Sequence, residues 1–168
     1  MNSRFVYLRP TRLVYFRETG PYDTSVLAAW KRLNGWMSKR GILAPGGLFY
    51  GLARDNPAKV PAENCRYDAC VELPLGLEGP ALTEIQVQRL PAGAYIRHKY
   101  VGRYSGIGAA AMPICNDWVP NCGLRLAIER PLVVIYMSNP SQRDVNGLKA
   151  EICAPVAIGQ QSGDRTAA

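Results

Sequence analysis

The side chains able to support covalent or metal chemistry are few: one histidine, His98, and five cysteines, Cys65, Cys70, Cys115, Cys122 and Cys153. A nucleophile needs a base within reach and a third group to orient that base. His98 lies in the basic stretch Ile96-Arg97-His98-Lys99-Tyr100, which suits a solvated edge strand better than a catalytic set. The cysteines are odd in number and lack the paired spacing of a structural zinc site. Small buried apolar thiols are the simplest reading, and a redox pair of Cys115 with Cys122 across a helix end is the alternative. Arg66 with Asp68, and Glu84 with Arg97, are expected as surface or cross-strand ion pairs, each worth ~0 to 1 kcal/mol. No catalytic residue, metal or cofactor is therefore assigned, and recognition is left to apolar and aromatic side chains.

The elements that would position such side chains are organised around Gly20 to Trp36, GPYDTSVLAAWKRLNGW, because this pattern occurs twice. At an offset of 82 residues Gly20 falls on Gly102, Tyr22 on Tyr104, Ala28 and Ala29 on Ala110 and Ala111, Trp36 on Trp118 and Gly41 on Gly123. At an offset of 83, Asn56-Pro57 returns as Asn139-Pro140, and Asp68-Ala69-Cys70 as Glu151-Ile152-Cys153. Two of the three tryptophans in register with a flanking Gly-x-Tyr argue for an internal duplication, with repeats over about 10–73 and 84–157.

In the first copy, RLVYFRET over 12–19 has the β-branched and aromatic content of a strand and runs into the Gly20-Pro21 turn. Asp23 or Thr24 is placed to cap the following helix. Val26, Trp30, Leu33 and Met37 form one apolar stripe along it, and Gly41 ends it. A Pro-Gly-Gly turn at 45–47 leads to a strand over 48–53, a proline-containing loop over 54–62 and a strand over 65–73. A joint rich in proline and glycine, 72–83, separates the halves, and strands over 84–90 and 93–101 follow. The second helix is weakened by Gly106, Gly108 and above all Pro113, so a kink or break is expected between Ala109 and Pro113. Strands over 131–137 and 148–157 come next, and the polar tail, 158–168, reads as disordered. Each half is strand, helix, strand, strand. Two such modules predict an α+β domain: one antiparallel sheet, two helices on one face and a central cleft on a pseudo-twofold axis.

At 168 residues the chain suffices for a single domain, over 1–157, and its 48% apolar and 20% charged content is ordinary for a globular protein. No apolar run approaches the roughly 18 to 20 residues of a membrane span. The opening MNSRFVYLRPTR lacks the apolar centre of a secretory signal. A cytoplasmic location without a membrane partner is expected. The net charge of +7 would favour an anionic partner, but the basic residues are scattered and no direct DNA-binding motif accompanies them.

The Gly20-Pro21-Tyr22 turn with Trp30 and Trp36 behind it, the Asp55-Asn56-Pro57 loop, CRYDACV at 65–71, LPAGAY at 90–95, and Pro131 to Tyr136 followed by Asn139-Pro140 keep a characteristic order and spacing. Together they resemble the GyrI-like small-molecule-binding family, whose relatives include DNA gyrase inhibitor proteins and the effector-binding domains of AraC-type and MerR-type regulators. The resemblance extends from about Arg12 to Val156. It implies the duplicated α+β fold and a central cleft for hydrophobic, often cationic, aromatic compounds. Too few residues precede the first helix for a DNA-binding domain, so an effector-type domain standing alone is expected. Many family members carry a Pro-x-x-Glu-x-Tyr strand whose buried carboxylate pairs with a cationic ligand. Here the strand reads Pro131-Leu132-Val133-Val134-Ile135-Tyr136, and Val134 stands in the glutamate's place. Valine offers apolar surface without charge compensation, and a buried unpaired cation is costly. Neutral aromatic or amphiphilic ligands are expected instead.

Strand alternation puts Leu132, Val134 and Tyr136 on one face. The offset of 83 carries Val134 to Gly51, so Phe49, Gly51 and Ala53 should form the matching wall. The expected ligand-binding residues are thus Phe49, Gly51, Leu132, Val134 and Tyr136, with Trp36 and Trp118 either anchoring their helices or rimming the cleft. A protein that senses or sequesters a hydrophobic aromatic molecule ranks first. A GyrI-like hydrolase of reactive small molecules and a macromolecular inhibitor with gyrase as partner are the alternatives that the resemblance suggests.

Overall fold

Among the described residues nine strands form, the central ones rich in β-branched and aromatic residues, and one amphipathic stripe produces the main helix. The computed structural model describes residues 3–42, 47–140 and 147–158. In chain order the elements are β1 (Ser3–Leu8), β2 (Arg12–Thr19), α1 (Tyr22–Lys39), β3 (Phe49–Ala53), β4 (Arg66–Glu72), β5 (Gln86–Arg89), β6 (Gly93–Gly102), α2 (Ile107–Pro113), β7 (Leu124–Leu126), β8 (Leu132–Tyr136) and β9 (Leu148–Ile158). Most of the Pro-Gly-Gly turn and nearly all of the polar tail expected from the sequence lie outside the described residues. Among the described residues no helix is long and apolar enough to cross a membrane.

Trp30, Leu33 and Met37 of the α1 stripe are buried, and Val26 packs partly buried beside them. Neither Asp23 nor Thr24 caps this helix: Pro21 precedes its first turn, no side chain accepts from the first N–H groups, and the Thr24 hydroxyl instead donates to the Pro21 carbonyl at 3.1 Å. Pro21 fixes the entry φ, and its carbonyl accepts the Ser25 N–H at 2.9 Å. Gly41 ends the helix at φ +66, a left-handed conformation that glycine adopts without penalty. Past Pro113 the chain leaves the regular helix for a π-helical turn, Ile114–Trp118, and a short helical piece, Val119–Asn121. A proline without an N–H permits such a change of hydrogen-bond register.

The strands form one antiparallel sheet in the order β1-β6-β9-β8-β3-β4-β2-β5, with β7 pairing the end of β9. The order is matched about the β3–β8 seam, from which β4, β2 and β5 lead one way and β9, β6 and β1 the other. α1 packs on β2 and β4, and α2 on β6 and β9. Alternation divides the core in two. On the helix side lie Val14, Tyr67, Ala69, Val71, Ile96, Val134, Tyr136, Ile152 and Ala154. On the other side lie Leu13, Tyr50, Leu52, Cys70, Tyr95, Val133, Ile135 and Cys153. β1 and β7 carry no sequence signal recognised above: β1 mixes charged and exposed residues, and β7 is three residues long.

The expected ion pairs are rearranged. Asp68, fully buried, faces Arg17 across β2 and β4. Arg17 donates to it twice, at 2.6 and 2.9 Å, and Arg54 and Gln88 donate at 2.9 and 3.0 Å. Arg66 turns instead to Asp55, and Glu84 to Arg40. Arg97 pairs with Glu151 on β9, because β6 neighbours β1 and β9 while β5 sits at the far edge beside β2. Desolvation pushes the Asp68 carboxyl up, but hydrogen bonds from Arg17 and Gln88 and the charge of Arg54 outweigh it and hold the group below its ordinary value.

Asp68→Ala strands two arginines around an emptied site and is expected to destabilise the fold by about 3 kcal/mol, toward the low end for a broken buried pair because both guanidinium groups are partly solvated. A carboxyl with a depressed folded pKa stabilises above its unfolded value of about 3.9. Denaturant unfolding should therefore show the difference between wild type and variant in full near neutral pH, shrinking as pH falls through the lower folded pKa.

Candidate functional site

The residues expected in the cleft meet along the β3–β8 seam, on the helix side of the sheet. Phe49 stands opposite Tyr136, Gly51 opposite Val134 and Ala53 opposite Leu132. Phe49, Val134 and Tyr136 are buried in the helix-side core, with Leu132 partly buried against it. Above them lies Trp30 of α1, in edge-on contact with Phe49 at 6.2 Å and with Tyr136 at 5.5 Å between ring centroids. Its indole N–H is shared by the hydroxyls of Tyr67, at 3.1 Å, and Tyr104, at 2.9 Å. Tyr104 comes from the one-turn segment leading into α2, and its ring stacks on Tyr136 at 5.9 Å and 18°. Both helices and the central strands thus converge on one aromatic cluster.

Gly51 is required there. A Cβ on it would meet the Tyr67 hydroxyl and come within 3.3 Å of the Tyr136 ring. Trp36 and Trp118 stand apart from these ring contacts. Trp36 is buried further along α1 with the Arg40 guanidinium 5.2 Å from its ring, and its N–H has no hydrogen-bond partner among the described residues. Trp118 is partly buried at the end of the π-helical turn.

The cluster is polar without being charged. Burial pushes the Tyr67 and Tyr136 hydroxyls well above the ordinary tyrosine value, and neighbouring phenols add to it. Burial raises Tyr104 as well. All three stay protonated at neutral pH, able to stack and to exchange hydrogen bonds but not to neutralise a cation. Asp68 is the one buried charged side chain among the described residues, and it points to the opposite face, one position along β4 from Tyr67.

Two further segments are tied to the cluster. The Tyr22 hydroxyl bridges the backbone of Asp55, donating to its carbonyl at 2.8 Å and accepting its N–H at 3.0 Å, while the Tyr22 ring meets Tyr67 edge-on at 6.2 Å. Asn139 donates to the Asn34 side chain, which in turn donates to the Trp30 carbonyl at 2.7 Å. The Gly-Pro-Tyr turn, the Asp-Asn-Pro loop and the Asn139-Pro140 step therefore buttress the same centre. Among the described residues, none of these ring contacts and hydrogen bonds involves a cysteine or a histidine. Burial pushes the Cys70 thiol well above its ordinary value and Cys153 to about 12, on the far face of the sheet. All five cysteines are free. His98, held by the Ser3 hydroxyl at 3.1 Å, is lowered by burial and sits on β6 near the sheet edge.

The architecture defines an α+β domain in which two helices cover one face of a single antiparallel sheet around an aromatic cluster. The family described as GyrI-like small molecule binding domain matches residues 1–157, and the chain belongs to it. A DNA gyrase inhibitor of Erwinia billingiae (strain Eb661) is 24% identical over 143 residues, covering 84% of this chain and 90% of that protein. The EcmrR C-terminal domain superposes with a TM-score of 0.69 at 17% identity, covering 94% of this chain and 98% of that one. In the EcmrR–DNA complex the same match, with a TM-score of 0.70 and 17% identity, covers 94% of this chain but spans only 57% of the EcmrR chain. SAV2435 bound to tetraphenylphosphonium superposes with a TM-score of 0.63 at 13% identity, covering 94% of each chain.

Replacing Gly51 with alanine forces a methyl group against Tyr67 and Tyr136. Overpacking of this kind is expected to cost about 1 to 3 kcal/mol. Denaturant unfolding should show that loss, together with altered tryptophan emission as Trp30 is displaced. Wild-type stability and emission in Gly51→Ala would refute the tight seam.

Proposed function

We propose that this domain senses or sequesters a neutral aromatic or amphiphilic small molecule at the cluster of Trp30, Tyr67, Tyr104 and Tyr136, over the wall made by Phe49, Gly51, Leu132 and Val134. Residues 1–157 act as one binding domain in this reading. The observation that carries it is the buried but uncharged chemistry of the site: aromatic faces, phenol hydroxyls, and Val134, only 5% exposed, where a carboxylate would be needed for a cation. Aromatic faces supply stacking surface, and hydroxyl groups supply orientation. Tyr104 is the partly exposed member of the cluster, so an incoming ring meets it first. A hydrolase reading is less well supported, since phenols held protonated provide no base near the ligand. Inhibition of gyrase is the second reading, resting on the name of the Erwinia relative.

Tryptophan-fluorescence titration with matched neutral and cationic aromatic compounds tests the proposal. Neutral compounds should saturate, and Tyr136→Ala should weaken them about tenfold or more, the loss expected when a central aromatic anchor is truncated. Val134→Glu should shift preference toward the cationic series. Wild-type affinity for neutral compounds should stay flat from about pH 5 to 9, because the cluster phenols titrate above the ordinary tyrosine value of about 10. Val134→Glu should make binding pH-dependent. Failure of every compound to saturate, with neither substitution having an effect, sinks the ligand reading. Product formation from bound ligand would move the hydrolase ahead, and loss of supercoiling by gyrase mixed with the protein would do the same for the inhibitor.

A further inference from the structure

The two edges of the sheet are built differently. β5 has four residues, of which Gln86, Gln88 and Arg89 are polar, the short and charged construction that discourages pairing with other chains. β1 has six residues and, among the described residues, is hydrogen-bonded to β6 on one side only. Its Phe5 and Tyr7 are 61% and 67% exposed, two positions apart and therefore on one face. Large aromatic side chains on an unprotected edge are what a pairing strand presents.

We propose that β1 pairs antiparallel with β1 of a second copy of this chain, in the register centred on Val6. In an antiparallel ladder, residues directly opposite both turn their N–H and C=O toward the partner or both turn them away. Positions of like parity must then face each other, so a twofold axis passes through a residue and never between two. Centred on Val6, the pairing sets Val6 against Val6, Phe5 against Tyr7 at two symmetric crossings, and Arg4 against Leu8. Both aromatic crossings are of the kind that stabilises sheets, and no like charges stand directly opposed despite the net charge of +7. Centring on Phe5 instead leaves one aromatic crossing and places each Tyr7 against Ser3. The edge is separated from the β3–β8 seam by β6 and β9, so this inference is independent of what the aromatic cluster binds.

Sedimentation velocity across the micromolar range tests it with three proteins. The wild type should pass from monomer to twice the monomer mass as concentration rises. Phe5→Lys combined with Tyr7→Lys sets lysines opposite each other at both crossings and should weaken the dimer about tenfold or more. Phe5→Glu combined with Tyr7→Lys sets opposite charges at both crossings of the Val6-centred register and should retain the dimer. Both positions are exposed, so far-UV circular dichroism of the variants should match the wild type. A wild-type chain that stays monomeric throughout overturns the proposal and leaves the edge to a strand of another protein. Association indifferent to the lysine pair, or equally lost in the charge-complementary variant, overturns it as well.

Discussion

Leaving a buried indole N–H without an acceptor is costly, and at Trp30 meeting that requirement joins the parts of the fold. Trp30 is 1% exposed, and its donor is shared between Tyr67 and Tyr104. An unsatisfied donor at such depth costs about 1 to 3 kcal/mol. Because Trp30 lies on α1, Tyr67 on β4 and Tyr104 just ahead of α2, one hydrogen bond fixes the first helix and the approach to the second against the sheet. The edge-on contacts of Trp30 with Phe49 and Tyr136 then bring β3 and β8 into the same assembly. The glycine at 51 is a consequence: only without a Cβ can β3 pass beneath two phenols drawn together in this way.

Strand alternation keeps this centre electrically neutral. Tyr67 and Asp68 are adjacent in β4, yet one enters the aromatic cluster and the other an arginine-rich network on the opposite face. The two faces meet different demands. The helix side excludes charge and, around Trp30, satisfies its polar atoms with one another, while the Trp36 N–H has no partner among the described residues. The other side accommodates a buried carboxylate because Arg17, Arg54 and Gln88 surround it and the arginines remain partly solvated. A one-residue slip in β4 would exchange these environments, so Asp68 also guards the register of the strand.

The α1 stripe and the shared strand faces along the β3–β8 seam were legible because each follows a simple period. Leu132, Val134 and Tyr136 share a face by alternation, and the offset of 83 residues named Gly51 as the partner of Val134, the position opposite it across β3 and β8. Tyr67 and Tyr104 were missed. Tyr104 did carry a signal, since it stands where Tyr22 stands in the first segment, but alignment does not tell that Tyr22 clamps a loop while Tyr104 turns to the centre. Trp36 was named because it stands in register with Trp118, and helix geometry sets it apart from Trp30. Six residues at about 100° each rotate a side chain about 120° around the helix, and only one of the two can face the seam. The Glu84–Arg97 pair failed for a topological reason: the short Pro91-Ala92-Gly93 link suggests that β5 and β6 are neighbours, whereas they lie toward opposite edges of the sheet.

On the proposed reading, the placement of Val134 lets the site change the charge of what it accepts without a change of fold. Its side chain enters a layer in which Gly51 lies opposite and aromatic rings lie nearby, so the position answers to volume and not to a structural hydrogen bond. A carboxylate there would need a cation to remain ionised in so apolar a setting. A valine needs nothing, and it contributes its burial to folding whether or not a ligand is present. The cost of holding an unpaired charge in that layer therefore does not arise. In the proposed function the electrostatic reason to prefer a cation is then absent as well, and selectivity would rest on the shape of the rings and the hydroxyl groups between them.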